Sequence, residues 1–136
     1  MTMDQPYPAA DSDSAPFWAG CAAGQLLIAN CASCQQRSLY LRGHCPHCGA
    51  DEPARQEASG QGTIYACTTV HRAPAAFRDE APYVVALVEL AEGPRIMARI
   101  DQGNGGEPRI GAPVTVDFRP GPADFSYPWF VLTEAG

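Results

Sequence analysis

The chain contains no lysine; all nine of its basic residues are arginine. That absence excludes Schiff-base catalysis, a pyridoxal-phosphate lysine and a P-loop lysine. No G-x-S-x-G nucleophile elbow occurs, and histidine is confined to His44, His47 and His71. A self-contained enzyme would have to be built from few parts, and no residue is assigned a catalytic role. Also missing is any run approaching the ~20 apolar residues that span a bilayer. The first fourteen residues carry Asp4, Asp11 and Asp13 with no basic residue and no apolar stretch. They match neither a signal peptide nor a transit peptide, so the expectation is a cytoplasmic chain without a membrane partner. The net charge of −6 is a poor match for nucleic acid, whose binding draws mainly on cations meeting phosphates.

A more local absence is the lack of any Asp or Glu between Ser14 and Ala50, where Arg37, Arg42, His44 and His47 all fall. The same stretch holds the most specific pattern in the chain, Cys31-x2-Cys34-x10-Cys45-x2-Cys48. Two Cys-x2-Cys knuckles joined by a short hairpin place four thiolates at the corners of a tetrahedron, which Zn²⁺ fills at about 2.3 Å per sulfur. Every coordination position is then protein sulfur, so the implied metal is structural and leaves no site for water or substrate. Iron fits the same sulfur geometry, as in rubredoxin. Two disulfides would instead require an oxidising compartment. The basic residues around the knuckles either offset the charge of the metal–thiolate centre or present a cationic face to an anionic ligand.

Thirteen glycines and thirteen prolines, scattered rather than repeated, favour short strands and turns over long helices. Residues 1–14 are polar, acidic and aperiodic, and are expected to be disordered. A helix is expected near Pro16–Ala23, since Pro16 suits a first turn and Gly24 a stop, with Trp18 as a packing anchor. Residues 15–50 then form a helix plus ribbon, with strands at Leu26–Ala29 and Ser38–Leu41. A connector at 51–60 includes a strand near Arg55–Ala58.

From residue 61 to 136 the texture is β. Thr63–His71 alternates, with Ile64, Ala66, Thr68 and Val70 on one parity. Tyr83–Leu90 is apolar on both parities. Arg95–Asp101 places Ile96, Ala98 and Ile100 inward. Val114, Val116 and Phe118 face inward on the next strand, and Trp129–Leu132 completes the set. Five strands in this length suit an OB-type barrel. The glycine-rich loop Gln102–Pro108 is expected to be a connector. The long Arg72–Pro82 loop occupies a position that OB-folds often use for binding. A strand apolar on both faces cannot bury both inside a small barrel, so Tyr83, Val85 and Leu87 call for cover by the ribbon, the helix or another chain. Cys21 and Cys67 are left outside the knuckles, and burial as free thiols is expected for them.

Phe17-Trp18-Ala19-Gly20, the four ribbon cysteines, Val70-His71-Arg72-Ala73-Pro74 and Ala81-Pro82-Tyr83-Val84-Val85 through Glu92-Gly93-Pro94-Arg95 together carry a family resemblance over about residues 15–133. The chain resembles the zinc-ribbon/OB-fold proteins known as domain of unknown function 35. The resemblance implies a mainly β fold in which an N-terminal helix and a rubredoxin-like zinc ribbon precede a five-stranded OB-fold barrel. It also implies a non-catalytic accessory subunit that associates with a thiolase-like or MaoC-type acyl-CoA enzyme and helps form or stabilise its acyl-CoA site. Two positions depart from the family pattern: Gln35 stands where glycine usually follows the first knuckle, and Leu41-Arg42-Gly43-His44 replaces a common Pro-Pro pair.

Arg42, His44, His71 and Arg72 are the candidate contacts for CoA, whose phosphates suit the forked guanidinium. Each could equally be structural or solvated. Two other classes compete. A nucleic-acid-binding module could stack bases on Phe77, and an iron-loaded ribbon could transfer electrons.

Overall fold

The computed structural model describes residues 14–39, 41, 43–101, 107–121 and 125–133. The segment expected to be disordered therefore lies outside the described residues except for Ser14, as does most of the glycine-rich loop.

Helix α1 spans Ala15–Ala22, with Pro16 in its first turn. The chain then turns through Gly24 in a left-handed conformation, as the stop at that position required. Strand β1 (Leu27–Asn30) is the centre of a three-stranded antiparallel sheet, flanked by β2 (Arg37–Ser38) and β3 (Ala54–Glu57). The return strand is thus two residues long, shorter than the expected Ser38–Leu41. Leu41 is buried nonetheless, beyond the end of the ladder.

The remaining strands, β4 (Gln61–Val70), β5 (Tyr83–Leu90), β6 (Arg95–Asp101), β7 (Pro113–Pro120) and β8 (Ser126–Leu132), form a closed barrel in the order β4-β5-β6-β8-β7. Closure comes from a short parallel pairing of β6 with β8 at Ile100↔Phe130 and from β4 with β7 at Gly62↔Val114. This is the OB arrangement, in which every strand edge is at least partly paired. Phe130, Ile64, Val88, Leu90 and Val114 are fully buried inside it. Leu26 and Ile28, contributed from before and within the ribbon sheet, join the same cluster, so the two parts share one apolar seam.

The strand β4 corrects the expected alternation. Ile64 pairs with Val88, and the next paired residue is Ala66, opposite Leu87. Tyr65 is the extra residue of a β-bulge, and one extra residue reverses the parity of everything after it. Ala66, Thr68 and Val70 therefore face out with Leu87, Val85 and Tyr83, while Cys67 and Thr69 share the inward face with Ala86 and Val84. Cys67 lies beyond the closed part of the barrel and is exposed, against the expectation of a buried thiol. Cys21 is buried, and burial pushes its thiol up to about 11.

Candidate metal centre and interdomain cleft

The two knuckles are built alike. The Cys31 carbonyl accepts from the Gln35 amide at 2.7 Å, and the Cys45 carbonyl accepts from the Gly49 amide at 2.9 Å. The cysteine amides reciprocate, donating to Gln36 and Ala50. Both turns need a left-handed residue: Gly49 supplies it at φ +80°, and Gln35 adopts it at φ +60° despite carrying a side chain. The consequence is that the sulfurs of Cys31, Cys34, Cys45 and Cys48 all lie within 4.8 Å of one another. The Cys31–Cys48 and Cys34–Cys45 separations are both 3.6 Å. A tetrahedron with sulfur about 2.3 Å from its centre has edges of about 3.8 Å, so the cage matches Zn²⁺.

Electrostatics within the cage also call for a cation. The Cys34 amide, followed by burial and the Cys48 sulfur, sets the balance at Cys31, whose thiol is pulled down to about 6. Cys34 is pushed up to about 12: the Gln36 amide favours its thiolate, but burial and the Cys45, Cys48 and Cys31 sulfurs override it. Four thiols this close cannot all ionise together unless a divalent ion neutralises them.

The second feature is a cleft of 1320 Å³ between the ribbon side and the outer face of the barrel. Phe17 and Trp18 of α1, with Leu39, Leu41 and the second knuckle, form one wall. Tyr83, Val85, Met97, Arg99 and Trp129 form the other. The 3₁₀ turn Ala75–Glu80, inside the long loop before β5, adds Phe77 and Glu80. Trp18 meets Phe17, Phe125 and Tyr127 edge-on at 5.1, 5.3 and 5.5 Å, so it anchors the helix on β8 as well as lining the cleft. The cover expected for Tyr83 and Val85 is therefore intramolecular and partial, while Leu87 stays exposed.

Charge in the cleft is paired. The Arg99 guanidinium stacks between Tyr83 at 4.1 Å and Trp129 at 4.4 Å, and donates to Glu80 at 2.6 Å. Arg119 stacks on Trp129 at 4.6 Å and pairs with Asp101 and Asp117. The Asp101 carboxylate, more than any other neighbour, raises the Arg119 guanidinium above its ordinary value. This ladder of ion pair and stacked rings ties the 3₁₀ turn to β6, β8 and β7.

The candidate CoA contacts do not converge. His44 lines the cleft and pairs with Asp51 at 3.1 Å, both side chains being largely exposed. His71 and Arg72 are exposed at the end of β4 and are not part of the lining. Arg42 lies outside the described residues. Arg99, Tyr127 and Trp129 were not singled out from the sequence. Alternation placed Arg99 outward, but nothing local states which wall an outward side chain meets. Among the described residues, no helix is long and apolar enough to cross a membrane.

Comparison with known proteins follows the same division. A family model described as the ChsH2 rubredoxin-like zinc ribbon domain matches residues 18–54, and one described as the ChsH2 C-terminal OB-fold domain matches residues 55–119. The chain is 35% identical over 127 residues to a probable enoyl-CoA hydratase alpha subunit of Thermomonospora curvata, covering 93% of this chain and 39% of that protein. It is 35% identical over 95 residues to a DUF35 domain-containing scaffold protein of Methanocaldococcus jannaschii, covering 69% of this chain and 67% of that one. A solved structure described as an Ltp2-ChsH2(DUF35) aldolase superposes with a TM-score of 0.81 at 32% identity, covering 93% of this chain and 98% of its own. The chain thus spans well under half the length of the hydratase subunit it matches.

Proposed function

We propose that this chain, which belongs to the zinc-ribbon/OB-fold family known as domain of unknown function 35, is an accessory subunit of an acyl-CoA enzyme. It pairs with a thiolase-like or MaoC-type protein and helps form or stabilise the acyl-CoA site, leaving the chemistry to that partner. Cys31, Cys34, Cys45 and Cys48 hold one Zn²⁺ whose four sulfur ligands leave no open position, so the ion braces the ribbon. The observation that carries this function is the cleft. Its walls come from the helix, the ribbon and the barrel together, and its lining is largely apolar and aromatic, with Arg99 tied to Glu80. A multi-walled apolar cleft of this kind suits holding and shaping an acyl chain.

His44 at the cleft, and His71 and Arg72 beside the loop that supplies Phe77, remain the proposed contacts for the CoA phosphates, together with Arg42. Relatives named as a hydratase subunit and as scaffold proteins support the accessory-subunit reading. Co-purification of the native complex with mass spectrometry is the test, and an acyl-CoA enzyme subunit is expected in stoichiometric amount. Turnover of an acyl-CoA thioester by the purified chain alone would overturn it. In the complex, alanine at His44, His71 or Arg72 is expected to weaken acyl-CoA binding by about tenfold for each charge-assisted hydrogen bond removed. Unchanged affinity in all three variants removes these residues from the site.

A further inference from the structure

The outer face of β4, β5 and β6 carries a feature the cleft does not absorb. Leu87 and Met97 stand directly opposite each other on β5 and β6, 38% and 70% exposed. Tyr65, projected by the β-bulge, is 47% exposed, and the Arg95 guanidinium lies 3.6 Å from its ring centroid. These are three of the four large hydrophobic side chains left exposed among the described residues; the fourth is Ile110. The patch adjoins the cleft, because Met97 belongs to both.

We propose that the Tyr65–Leu87–Met97 face, with Arg95 at its edge, is where the acyl-CoA enzyme subunit docks. The partner would present an apolar surface bearing a carboxylate that meets Arg95. This inference rests on the accessory-subunit function proposed above. Burial explains the inner residues of β5 but not the outer ones, since the inner set already fills the barrel. An exposed, contiguous apolar face that borders a binding cleft marks an interaction surface. Its make-up, a tyrosine, a methionine and an arginine, is of the kind enriched at interface centres.

Charge selects the kind of partner. Arg95 stacks on Tyr65 and enters none of the ion pairs formed among the described residues, although Glu89 stands opposite it across the β5–β6 ladder. A partner carboxylate would complete it and gain strength from exclusion of water at the contact. A second copy of this chain is the poorer fit, because each copy brings a net charge of −6.

The test measures affinity between this chain and the acyl-CoA enzyme subunit recovered with it, using Leu87→Glu, Met97→Glu, Arg95→Glu and, as a control, Arg55→Glu. Each position is exposed, and thermal melts check that all four variants fold. Leu87→Glu and Met97→Glu are expected to weaken binding by about 30-fold or more, as at an interface hot spot. Arg95→Glu is expected to cost about tenfold and to reverse the salt dependence. Arg55→Glu, on β3 of the ribbon sheet, is expected to bind like the wild type. If the three patch variants also bind like the wild type, the docking face is refuted while the accessory function stands. If no acyl-CoA enzyme subunit binds the wild-type chain, both fall together. A wild-type chain that sediments as a dimer, split by Met97→Glu, reassigns the face to a second copy and overturns the proposal.

Discussion

The ribbon and the barrel hold themselves together by different physics. Within the barrel, side chains such as Ile64, Val88, Val114 and Phe130 are almost entirely removed from water. Each contributes roughly 1.5–3 kcal/mol through burial. Between Cys31 and Asp51, by contrast, the buried residues are Cys31, Leu41 and Cys45, and the described polypeptide otherwise runs at the surface. A segment of this size cannot offset its conformational entropy with so little apolar contact, and a metal substitutes for the core. The lesson is one of division: the barrel is stable as a packed solid, and the knuckles are stable as a chelate. The seam of Leu26 and Ile28 couples the two.

Removing the metal should separate them most sharply. Structural zinc supplies about 10 kcal/mol or more of apparent folding free energy to a small ribbon at neutral pH. Stripping zinc with a strong chelator, or replacing Cys45 by serine, is expected to unfold the knuckle region while the barrel persists. Hydrogen exchange measures this: amides at residues 31–50 should lose protection, and those of Val88 and Ile100 should keep it. Simultaneous loss in both regions would mean that the barrel depends on the cage and that the division is wrong. The converse break is Phe130→Ala. Phe130 sits where β8 pairs with both β6 and β7, so truncation opens a cavity at the closure point. A loss of about 3–5 kcal/mol is expected in urea unfolding. The zinc content of the folded fraction should remain unchanged.

The contrast also explains what the sequence disclosed. Chelation depends on a few residues at fixed spacing, so Cys31, Cys34, Cys45 and Cys48 could be read directly as one site. Strands β5 and β6 were legible to the residue, because unbroken apolar patterns end at turn formers: Pro82 on one side, and Glu92, Gly93 and Pro94 between them. The bulge at Tyr65 was not. It adds one residue without a glycine or proline to mark it, and the parity of Cys67 went wrong as a result. The cleft was invisible for a different reason. Arg99 on β6 and Trp129 on β8 are brought together by barrel closure, and Trp18 reaches Tyr127 only after the helix docks. Those contacts belong to the tertiary fold, and no local pattern encodes them.

Within the ribbon, the two knuckles form a smaller comparison. Gly49 and Gln35 occupy equivalent left-handed turns, and only Gln35 has a Cβ to strain there. A non-glycine residue in this conformation costs roughly 1–2 kcal/mol. Gln35→Gly is therefore expected to stabilise the ribbon by about 1 kcal/mol, part of the gain being lost to the more flexible unfolded chain. Competition with a chelator should show zinc held about fivefold more tightly, whereas Gly49→Ala should shift it by a similar factor the other way. Shifts that are not opposite and similar in size would show that the knuckles are not equivalent in energy despite their matched hydrogen bonds.

The smallest effect is expected at Tyr127, on the seam where α1 meets the barrel. Its phenol is packed against Trp18 and Phe125, its hydroxyl has no hydrogen-bond partner among the described residues, and burial raises its ionisation above the ordinary value of 10. The folded state therefore favours the neutral phenol. Its contribution to stability is fully present below the unfolded pKa of about 10 and is lost as pH rises through the higher folded value. Tyr127→Phe keeps the ring and removes the titration. Near neutral pH it should change stability by no more than about 1 kcal/mol, since the hydroxyl it deletes is buried without a partner. Above pH 10 the variant should lose stability more slowly than the wild type, as urea midpoints measured from pH 7 to 11 would record. Parallel curves would mean that the alkaline sensitivity lies elsewhere, and that the seam tolerates a charged phenolate as the open surface does.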